Sequence, residues 1–221
     1  MTAIPKPAAT VVLMDDESKV YLTQRPKTMK FLGGYFVFPG GSIDEEDYSF
    51  LIDYIKYDPP SNHISLEYYI AAARELFEEV GVLLIDTGGE PPVFQHQSAE
   101  EYRMQLINNE ISLLNMLEAE DFRLDLHDLQ YFGHRITPKT SPIRFDTRFF
   151  IAKLPKGQSP KPDQNEITEA YWTTPEDALY AYEKGELSMV PPTIVSLRTI
   201  ANYVNKGGSL MMPDRENESS I

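Results

Sequence analysis

The chain has 221 residues, enough for one well-cored domain, with an ordinary globular make-up of 42% hydrophobic and 24% charged residues. Its 34 acidic against 20 basic residues give a net charge of −14, which argues against a general binder of nucleic acid or anionic membrane, because phosphate backbones are held by basic surfaces. There is no cysteine, so disulfides, zinc–thiolate sites and thiol nucleophiles are excluded.

The N-terminal stretch MTAIPKPAATVVLMDD has no charged region followed by a long apolar run, and no apolar run approaches the ~18 residues that span a bilayer. The expectation is a cytoplasmic protein. AATVVLM (8–14) and KVYLTQR (19–25) are β-rich runs parted by DDES and read as a hairpin. GGYFVFPGG (33–41) reads as one strand entering a tight Pro-Gly-Gly loop, and residues 43–65 read as irregular, interrupted by Pro59-Pro60. LEYYIAAARELFEEVG (66–81) is predicted to be a helix, with Ala73, Leu76, Phe77 and Val80 as its apolar stripe and Gly81 as its stop.

VLLID (82–86) continues as a predicted strand, followed by a loop over 88–97. Ser98 and Glu101 fit a capping box that opens a helix running to about Glu120. LQYFGHRI (129–136) and RFDTRFFIAKLP (144–155) read as hairpin-linked strands, and TEAYWTT (168–174) as a further strand. A helix over 174–185 has Thr174 as cap and Pro175 first; a last helix covers roughly 192–205, and the tail 208–221 is expected to fray. Hairpin-linked strands among helices, without regular β-α alternation, predict an α+β fold, a mixed sheet between helices. One domain over 1–207 is expected, with insertions at about 48–66 and 98–120.

Glu75, Glu78 and Glu79 stand at i, i+3 and i+4, spanning about 100° of the helix opposite the apolar stripe. Like charges at that spacing cost an isolated helix a few tenths of a kcal/mol per pair. A bound hard cation, which takes oxygen ligands, would offset the repulsion; a solvated helix face is the alternative.

From Arg74 to Val82 the residues R-E-L-F-E-E-V-G-V resemble the second half of the Nudix hydrolase signature, in which a glycine, five residues, a glutamate and seven residues precede R-E-U-x-E-E-x-G-U. Gly41 fits the opening glycine, but Asp47 stands where the first glutamate belongs, and 26 residues (48–73) separate it from Arg74, an insertion of 19. Glu67, the nearest upstream glutamate, is one position out of spacing. An interrupted box, together with LTQRPKTMKFLGGYFVFPGGSIDEED (22–47), FGHRITP, RFDTRFF and EITEAYWTTPEDAL, resembles the coenzyme A diphosphatase-like branch of that family.

The resemblance implies a Nudix-like α/β/α fold and a metal-dependent hydrolase of a nucleoside diphosphate joined to another moiety. The leading substrate is CoA or acyl-CoA, giving 3′,5′-ADP and phosphopantetheine. Alternatives are ADP-ribose, a dinucleotide, or nucleotide binding without turnover. Mg²⁺ or Mn²⁺ would be held by Glu78 and Glu79, with Glu75 as a further ligand or as base for the attacking water. Arg74 would orient Glu75, while Gly40 and Gly41 admit the loop backbone and Gly41 offers a carbonyl. A later carboxylate is expected from Glu166, with Glu169 behind it. Arg25, Lys27, Lys30, Arg144 and Arg148 are the candidate phosphate contacts, the last two sharing a strand face. The histidines show no ligand spacing, and His134 reads as a hydrogen-bonded structural residue. The partner expected is a small nucleotide-type molecule rather than nucleic acid or membrane, with a homodimer as a further expectation. Tyr48, Phe50, Leu51, Tyr54, Ile55 and Tyr57 of the insertion would pack on the core, cover the substrate, or form a dimer surface.

Overall fold

The computed structural model describes residues 2–56, 64–88 and 90–213. Its first hairpin is β1 (Lys6–Met14) and β2 (Val20–Gln24), turned by Asp15, whose Oδ1 accepts from the N–H groups of Glu17 and Lys19 at 2.9 and 2.8 Å. The expected single strand over 33–41 is two: β3 (Phe36–Val37) pairs with β2, and β4 (Gly40–Ser42) pairs with β1. Pro39 has no N–H for a ladder and marks the step from one partner to the other, its carbonyl accepting from Val11 N–H at 2.8 Å.

Residues 43–56 are more regular than their composition suggests. Helix α1 (Glu45–Tyr48) is followed by a 3₁₀ turn at Ile52–Tyr54 and by β5 (Ile55–Lys56), which pairs with β6 (Leu124–Asp125). Phe50, Tyr54 and Ile55 pack against the core, whereas Tyr48 and Leu51 are exposed. Tyr57 and Pro59-Pro60 lie outside the described residues.

Helix α2 (Leu66–Val80) is stopped by Gly81 at φ 69°, whose N–H closes onto the carbonyls of Leu76 and Phe77. The stretch 82–86 is not a strand beyond an isolated bridge at Ile85. The Gln158 side chain takes both the N–H and the C=O of Leu83, at 2.9 and 2.7 Å, leaving no ladder there. The helix expected over 98–120 is also two, α3 (Ala99–Ile107) and α4 (Leu113–Glu120). Asn109 takes the left-handed conformation at φ 56°, and Ser112 caps a new start by accepting from Asn115 N–H at 3.0 Å.

The remaining elements are β7 (Gln130–Ile136), β8 (Phe145–Lys153), β9 (Glu169–Thr173), α5 (Pro175–Glu183) and α6 (Pro191–Lys206). Among the described residues the main sheet has seven strands, β3-β2-β1-β8-β7 with β4 on β1 and β9 on β2. It is mixed: β1 and β8 run parallel from Lys6↔Phe145 to Met14↔Lys153, and the other pairings are antiparallel. The apolar stripe of α2 packs on one face with Val11, Leu13 and Phe150. Leu197 and Ile200 of α6 pack on the other with Val12, Leu22 and Ile151. That is the expected α+β arrangement of a mixed sheet between helices.

Residues 208–213, expected to fray, form a strap instead. Met212 is buried against Gly133 at the bulge of edge strand β7, its N–H donating to Phe132 O at 2.8 Å. Among the described residues no helix is long and apolar enough to cross a membrane.

Candidate active site

The site begins where β4 and α2 meet. Gly40 has φ 152°, and a Cβ there would stand 2.3 Å from Ala9 O, so only glycine lets the loop lie against β1. A Cβ on Gly41 would stand 2.3 Å from Glu75 Oε1. This pair of glycines therefore brings backbone directly against the carboxylates of the helix.

Helix α2 reaches this loop with a side that is polar yet largely buried. Arg74 is 6% exposed and Glu79 7% exposed. Arg74 donates Nε and Nη2 to the two oxygens of Asp47 at 3.1 and 3.0 Å, a bidentate clamp, and Nη2 also to Ser42 O at 2.9 Å. Its Nη1 reaches Glu75 Oε1 at 3.0 Å and Glu78 Oε2 at 3.2 Å. Asp47, in the place of the signature's first glutamate, thus faces Arg74; it also accepts from Asp44 N–H at 2.9 Å. Glu67, two turns up the helix, does not line the cleft.

Gly40 N–H donates to Glu79 Oε2 at 3.3 Å. Burial pushes the Glu79 carboxyl well above the usual range, and the neighbouring charges of Glu75 and Glu166 push the same way. Burial raises Glu75 to about 8, opposed by Arg74 and assisted by Glu78; Glu78 is raised to about 7, again by burial first. Glu75 and Glu78 share Arg74 with Asp47, and the cluster is short of positive charge.

These side chains open into a cleft of about 740 Å³ that Arg25, Asp163 and Glu166 also line. Arg25, whose Nε is tied to Phe31 O at 3.2 Å, is close enough to favour the charged form of Glu79. Asp163 is a residue that the sequence analysis misses. It is 9% exposed, its Oδ2 has no hydrogen-bond partner, and its N–H donates to Glu79 O at 2.8 Å. It lies three residues before Glu166, in a Pro- and Asn-containing loop without periodicity, so the run of acids in PDQNE was its one available signal.

Other expected contacts fall elsewhere. Lys27, Lys30 and Glu169 are exposed and do not line the cleft. Arg144 ties Thr137 O and Ala3 O at 3.0 and 2.7 Å, binding loops together. Arg148 pairs with Asp146 and lies 4.9 Å over the Tyr68 ring, on the α2 face of β8, while the cleft takes Thr147 and Phe149 from the opposite face. His134 Nε2 meets Asp146 Oδ1 at 2.6 Å, a structural pairing.

Among the described residues no three acidic or histidine side chains already converge as a cation cage, since Glu75 and Glu78 are turned to Arg74. The donor set nevertheless suits a hard divalent cation: oxygen donors throughout, a charge deficit, and an orphaned buried oxygen on Asp163.

A family model described as the NUDT19 Nudix domain matches residues 55–200, which take in Arg74–Val82 and the cleft loop at Asp163–Glu166. The chain belongs to this branch of the Nudix hydrolase family. The acyl-coenzyme A diphosphatase NUDT19 of Xenopus laevis is 25% identical over 84% of this chain and 60% of its own length. The human protein of that name is 26% identical over 62% of this chain and 39% of its own length. The chain therefore spans less than two thirds of the length of these relatives. The crystal structure of a Nudix hydrolase from Alicyclobacillus acidocaldarius superposes with a TM-score of 0.84 at 28% identity, covering 97% of this chain and 100% of that one. A MutT protein from Methanosarcina mazei Go1, with TM-score 0.51 and 13% identity, shares the fold.

Proposed function

We propose that this chain hydrolyses the diphosphate bridge of a nucleoside diphosphate joined to another moiety, with CoA or acyl-CoA as leading substrate and 3′,5′-ADP and phosphopantetheine as products. The observation that carries this reading is that Glu75, Glu78 and Glu79 line one cleft, with Glu75 against Gly41 and Glu79 accepting from Gly40 N–H. The names of the frog and human relatives support the acyl-CoA arm of it.

A water oxygen adds to one phosphorus, the bond from that phosphorus to the bridging oxygen breaks, and the water's proton passes to a carboxylate. Glu75 and Glu166, which both line the cleft beside Glu79, would accept it. Glu78 and Glu79, with Asp163 behind them, would hold Mg²⁺ or Mn²⁺, which supplies charge neutralisation that a chain of net charge −14 cannot. Arg74 keeps Glu75 and Glu78 in place from its anchor on Asp47, and Arg25 offers the substrate a positive contact.

The test is a product screen over CoA, acyl-CoA, ADP-ribose and dinucleotides, with and without Mg²⁺ or Mn²⁺, products being identified by mass. Adenosine 3′,5′-bisphosphate from CoA, lost on chelation, is expected. Glu79→Gln should lower kcat by about 10²-fold or more while the protein melts normally. Tight nucleotide binding with no product under any metal would sink the enzymatic reading in favour of a binding module.

A further inference from the structure

From Gly40 and Gly41 the cleft continues across the α6 face of the sheet. Alternation fixes its floor: Val12 of β1 and Phe149 and Ile151 of β8 pack in the α6-side core, so Ala8, Thr10 and Thr147 share their face. The register sets these residues in rows, Gly40 beside Thr10 beside Phe149, and Ser42 beside Ala8 beside Thr147 beside Arg135. The second row crosses from β4 to β7, three strand spacings or roughly 14 Å. Phe31 and Phe145, in ring contact at 5.1 Å, and Pro191 and Pro192 in the first turn of α6 complete the lining. Leu32, beside Phe31, also lines the cleft and is held at φ 56°, a conformation that strains a bulky residue. Arg25 marks the boundary with the carboxylates: its Nε is tied to Phe31 O and its charge acts on Glu79. Beyond it Arg135 is the one charged side chain among the described lining residues. It is buried and engaged, donating to His134 O at 2.7 Å and to Pro213 O at 2.6 Å.

We propose that this chamber on the α6 face is the subsite for the apolar arm of the substrate. The pantetheine chain crosses the floor at Thr10 and Thr147, and a thioester-linked acyl chain lies against Phe31, Phe145 and Pro192. This rests on the diphosphatase reading above, with acyl-CoA as substrate. A phosphorylated nucleoside arm is disfavoured here, because its extra phosphate would be stripped of water beside an arginine that is already engaged. The uncharged arm meets the opposite situation: two threonine hydroxyls on the floor for its amides, and apolar walls beyond them. Length agrees as well. Pantetheine has about twelve chain bonds, as many as roughly four residues of extended backbone, and so spans ~13 Å. Its sulfur therefore arrives near the β7 end of the floor, where Phe145 and Arg135 stand, and the acyl chain begins among the rings. The end of α3 adds Leu106 and Ile107 to the cleft, but Leu106 belongs to the α2-side core, which leaves little surface for a long chain. Each methylene taken from water is worth roughly fourfold in affinity, so the wider apolar surface wins.

The experiment measures kcat/KM on free CoA, hexanoyl-CoA and dodecanoyl-CoA at saturating Mg²⁺, for the unaltered chain, Phe31→Ala and Pro192→Asp. The second variant places a negative charge in the chamber at a helix N-terminus, where an acid favours the helix, so the fold is spared. Each variant is expected to lower the value for dodecanoyl-CoA about tenfold or more, chiefly through KM, with hexanoyl-CoA losing less and free CoA least. Pro192→Asp serves as the reading if Phe31→Ala melts early. Equal losses on all three substrates would mean that the chamber holds a part common to them, such as the nucleoside. That result, or no loss on any of them, would overturn the assignment and leave the diphosphatase reading standing. Turnover of ADP-ribose by the unaltered chain with none of any CoA substrate would remove the CoA reading, and this subsite with it. No turnover of any of these substrates would remove the diphosphatase reading itself.

Discussion

A methyl group on residue 41 would lie 2.3 Å from Glu75 Oε1 and 2.6 Å from its Cδ, well inside contact distance, and the nearby Arg74 network leaves that carboxylate few places to go. Gly41→Ala should therefore displace Glu75 without touching the core. Because a shift of about 1 Å at a reacting group costs on the order of 10²-fold, kcat should fall by that factor while the thermal midpoint moves by only a few degrees. Steady-state kinetics beside a melting curve will read both. Much of the site was legible at this scale: Arg74, Glu75, Glu78 and Glu79 carry fixed spacing, and spacing survives in a sequence. Two features were not. Asp47 is joined to Arg74 across 26 intervening residues, and only the fold shows that the two touch. Asp163 sits in an aperiodic loop, where nothing in the sequence distinguishes a buried acid from a wet one. For Arg148 the alternation of β8 gave a shared face, but a strand buried on both faces does not say which of them meets the cleft.

The last turn of α2 leaves carbonyls without intrahelical partners, as any helix end does. Here α3 and the 161–163 segment supply the donors: Arg103 to Glu78 O and Glu79 O, Lys161 N–H to Val80 O at 2.7 Å, and Asp163 N–H to Glu79 O. Arg103 is 4% exposed, so its loss would strand carbonyls in a dry place and loosen the turn that bears two of the carboxylates. Arg103→Ala should cost about 2–3 kcal/mol in urea unfolding and weaken Mn²⁺ binding, with Arg103→Lys recovering part of the latter. Unchanged metal affinity would mean that α3 supports the fold alone. The elements themselves were read well where periodicity ran long, as in α2 and α6. They were misread where one residue broke a run. Pro39 divides β3 from β4, and Asn109 in a left-handed conformation divides α3 from α4. A glutamine side chain took over the hydrogen bonds of Leu83 within the strand expected at 82–86.

Across the whole molecule, the site adds to a surplus of negative charge. Glu78 and Glu75 rise from an ordinary 4.5 to about 7 and about 8, so the folded metal-free protein holds protons that the unfolded chain has released. A carboxyl raised on folding contributes stability that is complete below its unfolded pKa and is lost as pH climbs through the folded one. The metal-free protein should therefore lose stability between about pH 5 and 8, each kcal/mol lowering the thermal midpoint by about 2–4 °C. Mg²⁺ should restore more of it at pH 8 than at pH 6, because fewer protons compete for the oxygens. Thermal melts in chelator and in Mg²⁺ at the two pH values will test the sign. A chelated midpoint that rises with pH would contradict it.

The Arg74–Asp47 clamp has one more consequence, for what can change in this chain over evolutionary time. A site assembled from residues at fixed spacing is broken by any insertion between them. A site whose two halves grip each other tolerates an interval of almost any length, since doubling a flexible loop adds only about 0.6 kcal/mol of closure cost. The interval between α1 and α2 can thus change in length, by selection or by a protein engineer, while Asp47 and Arg74 stay locked together.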